Sequence, residues 1–330
     1  MKIMTRLRLL VAVLLLPGAL FAAGQKTPDP AHTALMANVL NRNGSPVRDL
    51  TKENFRVKVN GRPAVLLGVS YDLAPRRMVV LLDMSESMAG REGDNRRRIA
   101  REAVDDVLAD TPSNVSVALL TFSDHVRDVF DFSQSRSSMA AWLKEDARQQ
   151  NDSRIHERTA LFDAVLSAIK MLGTTRPGDA IYLISDAGDN SSHVRELEVR
   201  KLLLQSQVRL FAFLLNEQTP LSELSRGTDA VKEIARATGG FVFGVSGHRV
   251  IEFLPTWSSA FDYNDRTRDL IKTYTQALNF QVNGFYRLQF DLPVTADKAK
   301  KISLEVVDRT GKPRNDVAYT YSTALLPETR

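Results

Sequence analysis

The sequence predicts an α/β fold: a doubly wound, mostly parallel sheet inserted in or flanked by a small β-sandwich built from N- and C-terminal strands. Three observations predict it. Apolar runs of strand length at 78–82, 180–184 and 208–215 have the texture of strands covered on both faces. Stripes at helical spacing lie between these runs, and strands alternating with helices imply a parallel sheet. Towards either end the pattern changes to short segments bounded by turn residues.

Taken in order, residues 32–40 read as a strand and Asn43-Gly44-Ser45-Pro46 as a turn. Strands at 55–59 and 64–71 flank Asn60-Gly61, a strong hairpin signal because both central residues need positive φ. This N-terminal β segment, 32–75, is too short to hold a core alone. From 76 to 280 the α/β texture takes over. Ile99, Ala100, Ala103, Val104, Val107 and Leu108 form one helical stripe, and 115–122 is the next strand. Leu161, Val165, Ala168, Ile169 and Leu172 mark a second helix. Val231, Ile234, Ala235 and Thr238 mark a third, closed by Gly239-Gly240 before a short strand at 241–243. Residues 249–279 are expected to be helical, with interruptions at Pro255 and Asn264. Strands return in the C-terminal β segment, 281–330, at 285–290, 302–307 and 317–321. That segment also lacks chain for its own core, so it is expected to pair with 32–75 around an inserted α/β unit. One internal echo joins the ends: Val39-Leu-Asn-Arg-Asn-Gly-Ser-Pro46 is similar to Val306-Val-Asp-Arg-Thr-Gly-Lys-Pro313. It reads equally as a repeat or as the shared chemistry of Gly and Pro in turns.

A chain of 330 residues suggests two domains at about 150 residues each. Hydrophobic residues make up 43% and charged ones 25%, which excludes bulk disorder and a polytopic membrane protein. The net charge of +5 owes much to Lys2, Arg6 and Arg8; without them 41 basic side chains face 39 acidic ones, and nucleic-acid binding gains no support. Cysteine is absent, which removes disulfides, zinc–thiolate sites and thiol catalysis. Residues 1–24 have the pattern of a secretory signal peptide: the positive start, an apolar run at 9–16, a break at Pro17-Gly18, and small residues for cleavage near Ala22 to Gly24. The charge-free stretch is short for a membrane span. The expected destination is therefore secreted or periplasmic, and an uncleaved N-terminal anchor would be the one membrane contact.

Three short pieces fall where a doubly wound sheet places its binding sites, at the carboxyl ends of strands. They are Asp83-Met-Ser85-Glu-Ser87 after the run 78–82, Thr159 at a helix start, and Ser185-Asp186 after the run 180–184. Carboxylates and hydroxyls are hard oxygen ligands, suited to Mg²⁺, Mn²⁺ or Ca²⁺. Each also has a plainer use: Asp83 and Ser87 could cap the following helix, and Thr159 is a good N-cap.

On these residues the chain resembles the von Willebrand factor type A (VWA) domain, whose metal-ion-dependent adhesion site (MIDAS) has the motif Asp-x-Ser-x-Ser, then a distant Thr, then a distant Asp. Asp83, Ser85, Ser87, Thr159 and Asp186 fill the five places in order. The phrases Val79-Val-Leu-Leu-Asp83, Ala118-Leu-Leu-Thr-Phe-Ser-Asp124, Thr159-Ala-Leu-Phe-Asp-Ala164 and Ile184-Ser-Asp186 are similar to the family's as well. The flanking β regions resemble those of exported bacterial proteins carrying a VWFA-related domain. The resemblance implies a Rossmann-like fold, direct metal contact by Ser85, Ser87 and Thr159, and Asp83 and Asp186 near the ion. It also implies a protein partner whose Asp or Glu carboxylate completes the coordination of Mg²⁺, in cell adhesion or envelope-complex assembly. Many family members have Gly where this chain has Glu86. Near the ion that carboxylate would lower the attraction for an acidic partner; it is expected instead to face solvent, or to pair with Arg91 or Arg96, because alternate positions in a tight loop point away from the ligand set.

Other residues read more plainly. Arg96-Arg97-Arg98 and Arg101 suggest a solvated helix face paired with Glu102, Asp105 and Asp106. The five histidines show no metal spacing, and His125 is expected at the surface. Trp142, Trp257, Tyr263 and Tyr274 look like packing residues. A polar loop at 144–158 feeds into Thr159 and should border the site. Two further function classes stand beside the non-enzymatic binding module. One is a structural envelope scaffold whose metal stabilises the fold. The other is a phosphohydrolase using Asp83, although such enzymes carry a second Asp where this chain has Ser85.

Overall fold

Strand β5, Arg76–Asp83, is apolar from Met78 to Leu82, and its side chains alternate between two buried layers. That alternation decides the architecture. The computed structural model describes residues 32–42, 44–89, 96–149, 158–216, 224–246, 249–253, 260–262, 265–291 and 299–326. The proposed leader, Arg91, residues 150–157, Trp257 and Tyr263 lie outside them.

Around β5 stand β6 (Val115–Phe122) on one side and β8 (Ala180–Ser185), β9 (Arg209–Asn216) and β10 (Val242–Ser246) on the other, all parallel. Antiparallel strands finish both edges of this eight-stranded sheet: β7 (Val126–Phe130) beside β6, and β11 (Arg249–Phe253) then β12 (Ala260–Asp262) beside β10. Helices α2 (Arg96–Asp110), α3 (Arg136–Gln149) and α7 (Asp265–Asn283) cover one face over Met78, Val80 and Leu82. Helices α4 (Leu161–Leu172), α5 (Glu196–Gln205) and α6 (Leu224–Thr238) cover the other over Val79 and Leu81. Burial of every core position on both faces is why these strands read as unbroken apolar runs. Among the described residues no helix is long and apolar enough to cross a membrane.

The remaining strands form two four-stranded antiparallel sheets. One has the order β15 (Val317–Tyr321), β1 (His32–Asn41), β13 (Phe285–Asp291), β4 (Leu66–Asp72). The other has the order β16 (Ala324–Leu325), β14 (Lys300–Val306), β2 (Phe55–Val59), β3 (Arg62–Ala64). Both share one core of Leu35, Phe55, Val57, Tyr286, Leu288, Ile302 and Leu304 with their neighbours. The chain leaves for the α/β sheet after Asp72 and returns at Phe285, and these two residues are register partners on β4 and β13. The echo in the sequence folds alike at both places. Asn41 N–H bonds Ser45 O and Gly44 N–H bonds Asn41 O, as Asp308 N–H bonds Lys312 O and Gly311 N–H bonds Asp308 O. Both glycines have φ near +80°, at 80° and 82°.

Several expectations need correction. Residues 249–279 are not one helix. Residues 249–253 and 260–262 continue the sheet, and only from Asp265 is the chain helical, through Asn283 and thus past the boundary at 280. β-branched Val250 and Ile251 suit a strand, and β10 offers an edge to pair with. The segment 64–71 is not one strand either. β3 stays with β2 around the Asn60-Gly61 turn, while β4 crosses to the other sheet. The polar stretch 144–158 is helical through Gln149, because Met139 and Leu143 anchor α3 in the core. Strand β7 and helix α5, absent from the sequence reading, are short elements with weak periodicity.

The base of the α/β sheet meets the antiparallel strands through buried arginines. Arg209, fully buried, donates from Nη1 to Asn38 Oδ1 (3.0 Å) and the Gln281 carbonyl (2.8 Å), and from Nη2 to the Gly178 carbonyl (3.1 Å). Its guanidinium lies 4.9 Å from the Phe285 ring centroid, and that of Arg76 lies 4.7 Å from the same ring. Arg76 also pairs with Asp72 at 2.6 Å. Gly178, with φ +91°, leaves room for this stack: a Cβ there would sit 2.2 Å from Phe285 Cε1.

Candidate metal centre

At the opposite end of the sheet, the carboxyl ends of β5 and β8 adjoin where the strand order reverses, with β6 on one side of β5 and β8 on the other. That is the crevice where open α/β sheets bind ligands. Asp83 ends β5 and is fully buried. Its Oδ1 accepts the Ser85 N–H at 2.9 Å, and its Oδ2 accepts the Ser185 hydroxyl at 2.5 Å across to β8. The first bond curls the chain into a tight turn that opens the short helix α1, Glu86–Ala89. Met88, fully buried, pins α1 to the core, and Ser85 Oγ lies 3.1 Å from Ser87 Oγ. Ser85 is buried, whereas Ser87 and Glu86 are exposed, so the Glu86 side chain faces solvent as expected.

Asp186 follows β8 and is 2% exposed. Its Oδ1 accepts the Gly188 N–H at 2.9 Å, and its Oδ2 lies 3.7 Å from Nη1 of Arg96, the first residue of α2. Ala187 between them has φ +66°, the left-handed region that costs an L-residue about 1–2 kcal/mol. The Ser185 hydroxyl accepts its N–H at 2.9 Å, so one side chain braces both Asp83 and the strained turn. Helix α6 presses on that turn from behind: a Cβ on Gly227 would fall 1.9 Å from the Ala187 carbonyl oxygen.

Thr159 is 3% exposed and stands two residues before α4. The helix cap is Ala160, which has no side-chain acceptor, so Thr159 is not the N-cap that its residue type suggested. Thr159 Oγ1 and Asp186 Oδ1 border the same space at Gly188, where a Cβ would lie 4.0 Å from the first and 3.1 Å from the second. The Ala160 N–H bonds the Ser123 carbonyl at 2.7 Å, which ties this segment to the end of β6.

Burial pushes the Asp83 carboxyl up to about 7, the negative charge of Asp186 adds to the rise, and hydrogen bonds from Ser185 and Ser85 oppose it. Two buried carboxylates, of which Asp186 raises the proton affinity of Asp83, form an arrangement that a proton or a positive charge relieves, and the Arg96 guanidinium stands 3.7 Å from Asp186. Among the described residues no group of three or more His, Cys, Asp or Glu side chains gathers to hold a metal. A cation here would therefore draw on Ser85, Ser87 and Thr159 hydroxyls as well as the two carboxylates, a donor set of hard oxygens that fits Mg²⁺, Mn²⁺ or Ca²⁺ and not a soft metal.

The basic cluster departs from the expected helix face. Arg98 pairs with Glu102 at 2.7 Å, but Arg101 crosses to Asp146 on α3 at 2.5 Å and Arg96 turns towards Asp186. His125 is exposed beside Asp124, Trp142 packs on Phe130, and Tyr274 on Phe243. Sequence reasoning missed the approach of Arg96 to Asp186, the bracing role of Ser185, and the loop Asp189-Asn190-Ser191-Ser192 that grips the start of α4. The only sequence signal for that loop is its density of Asp, Asn and Ser, the residues that cap helices.

Residues 78–189 match the family model of the von Willebrand factor type A domain. No curated protein matches the chain. Among solved structures, the chain is similar to the human COPII-coat protein Sec24c, with 12% identity, a TM-score of 0.46, and coverage of 78% of this chain and 46% of that one. The chain thus spans about half the length of that protein. It is similar to a conserved hypothetical protein BatB from Bacteroides thetaiotaomicron at 13% identity and a TM-score of 0.43, covering 62% of this chain and 98% of that one. It is also similar to a von Willebrand factor type A structure from Catenulispora acidiphila at 11% identity and a TM-score of 0.45, covering 90% and 75%.

Proposed function

We propose that this protein is an exported, non-enzymatic binding module that holds a divalent cation at the β5–β8 crevice and recruits a protein partner through it. The observation that carries the reading is the pair Asp83 and Asp186, both buried, at the carboxyl ends of adjacent parallel strands with Ser85 and Thr159 beside them. Ser85, Ser87 and Thr159 would hold the ion directly, with Asp83 and Asp186 next to it. Bound there, Mg²⁺ supplies an open coordination position that an Asp or Glu carboxylate of a partner can take, because neutral hydroxyls leave the ion incompletely neutralised. The setting serves adhesion or envelope-complex assembly. Binding is favoured over hydrolysis by the motif itself: phosphohydrolases that use an aspartyl nucleophile carry a second Asp where this chain has Ser85.

The test is cross-linking of neighbours in cells with Mg²⁺ or with EDTA, followed by mass spectrometry, for the natural chain and for Asp83→Ala and Thr159→Ala. A neighbour captured with Mg²⁺ and lost with EDTA and in both variants is the expected result. A neighbour captured regardless of metal returns the structural scaffold, and phosphatase turnover by the purified protein returns the phosphohydrolase. Export is read separately, by N-terminal sequencing of the mature protein, with cleavage expected near Ala22 to Gly24.

A further inference from the structure

The geometry points to Asn190 as the residue that positions Thr159, so that Thr159 and Asp186 form one rigid half of the proposed cation site; the inference rests on that reading of the site. An α-helix begins with N–H groups that lack partners within the helix. In α4 these are met by a loop far along the chain. The Leu161 N–H bonds Asp189 Oδ1 at 2.9 Å, and the Phe162 and Asp163 N–H groups share Ser192 Oγ at 3.0 and 3.2 Å. Asp163 answers by accepting the backbone N–H groups of His193 and Val194, the latter at 3.1 Å.

Within this reciprocal cap the labour is divided. Asp189 and Ser192 serve the helix. Asn190 serves Thr159, which lies outside the helix: its Oδ1 accepts the Thr159 N–H at 2.8 Å. The Thr159 carbonyl in turn accepts the N–H groups of Asn190 and Ser191, both at 3.0 Å. Both peptide groups flanking Thr159 are thereby fixed to a loop that starts at Asp186. Gly188 keeps the space between Thr159 Oγ1 and Asp186 Oδ1 clear of side chain. The Asn190 side chain is exposed, so its removal costs the fold little. Its effect on the site is larger, because residues that orient metal ligands without touching the metal carry about 10–100-fold in affinity.

Two measurements on the purified protein test this. Hydrogen exchange at the Thr159 amide needs no metal. Asn190→Ala is expected to speed it about tenfold, while Asn190→Asp, which keeps an acceptor, leaves it unchanged. Mg²⁺ and Mn²⁺ titration by calorimetry should then show Asn190→Ala weakened about tenfold with its EDTA melting temperature held, and Asn190→Asp restored. Ser192→Ala should do the reverse, melting earlier with affinity near that of the natural chain. Unchanged exchange and affinity in Asn190→Ala, or an Asn190→Asp as impaired as Asn190→Ala, overturns the positioning role. If the natural chain and Thr159→Ala take up the ions equally, the cation reading fails, and the exchange result alone then decides whether Asn190 holds Thr159.

Discussion

Asp83 and Ser185 close the crevice between β5 and β8 with a 2.5 Å hydrogen bond from the serine hydroxyl to the aspartate Oδ2. They are 102 residues apart in the chain and both are fully buried. The bond opposes the rise in the Asp83 pKa that burial and the charge of Asp186 produce, and the rise that is left is a raised affinity of Asp83 for a proton.

A pH dependence follows. The folded Asp83 carboxyl titrates at about 7, above the ordinary aspartate value of about 3.9. Between those values the folded protein binds more protons than the unfolded chain, so its stability falls as pH rises through that window. In EDTA the melting temperature should drop from pH 5 to pH 8, and Asp83→Asn should flatten this slope. Saturating Mg²⁺ should offset the loss at pH 8 and have little effect at pH 5, where the proton competes with the ion. A natural chain whose slope in EDTA matches that of Asp83→Asn would contradict this.

Arg96 should oppose the ion. Its guanidinium is 3.7 Å from Asp186 Oδ2, so it already meets part of the charge that would draw the ion, and like unit charges about 4 Å apart repel by about 1 kcal/mol even in water. Arg96→Gln is expected to strengthen Mg²⁺ binding on the order of fivefold and to lower the melting temperature in EDTA. Calorimetry reads the first effect and thermal unfolding the second. Weaker Mg²⁺ binding in Arg96→Gln would mean that the arginine supports the metal-bound arrangement.

Gly227→Ala should damage the site from behind. The new Cβ would meet the Ala187 carbonyl oxygen at 1.9 Å, and backbone must move to admit it. Ala187 is already in the left-handed region, so the turn that carries Asp186 has little freedom to yield. The expected loss of stability is about 1–3 kcal/mol by urea denaturation, with Mg²⁺ affinity reduced alongside. An unaltered affinity would show that the displacement is absorbed by α6.

Arg209→Met should loosen the base of the sheet. It leaves Asn38 Oδ1 and the carbonyls of Gln281 and Gly178 without the donors they now share. The expected cost is about 2–4 kcal/mol, since stranded buried acceptors outweigh the relief of removing a buried charge. Urea denaturation reads this, and stability equal to that of the natural chain would show that the methionine packs well enough to compensate.

The centre of the fold is legible in the sequence because the core strands obey a rule that leaves a local trace. Residues 78–82 and 180–184 are apolar throughout since both faces are covered, and the Asn60-Gly61 turn declares itself through its need for positive φ, at 49° and 80°. Edge elements leave less trace. β7 is half-covered, and β11 reads as helix or strand until β10 is seen beside it. For the candidate site, strand-end logic puts Asp83 and Asp186 on one rim, and the structure has them there on adjacent strands. What surrounds them was not legible. The cap on α4 acts across 28 to 31 residues, and Arg96 reaches Asp186 from a helix on another part of the chain, so neither makes a periodic pattern. Thr159 looked like a cap by residue type, whereas the helix it precedes is capped from elsewhere.

The partnering of β1 sets the order in which this protein can be finished. Its neighbours β13 and β15 are made only after the whole α/β sheet, so residues 32–41 wait without partners until residues 285–291 and 317–321 have emerged. Such distant pairing is slow to close. A nascent chain halted before residue 285 would carry a complete α/β sheet and a naked first strand, open to pairing with strangers. For this molecule the two strands that make β1 safe, β13 and β15, are both synthesised after the α/β sheet.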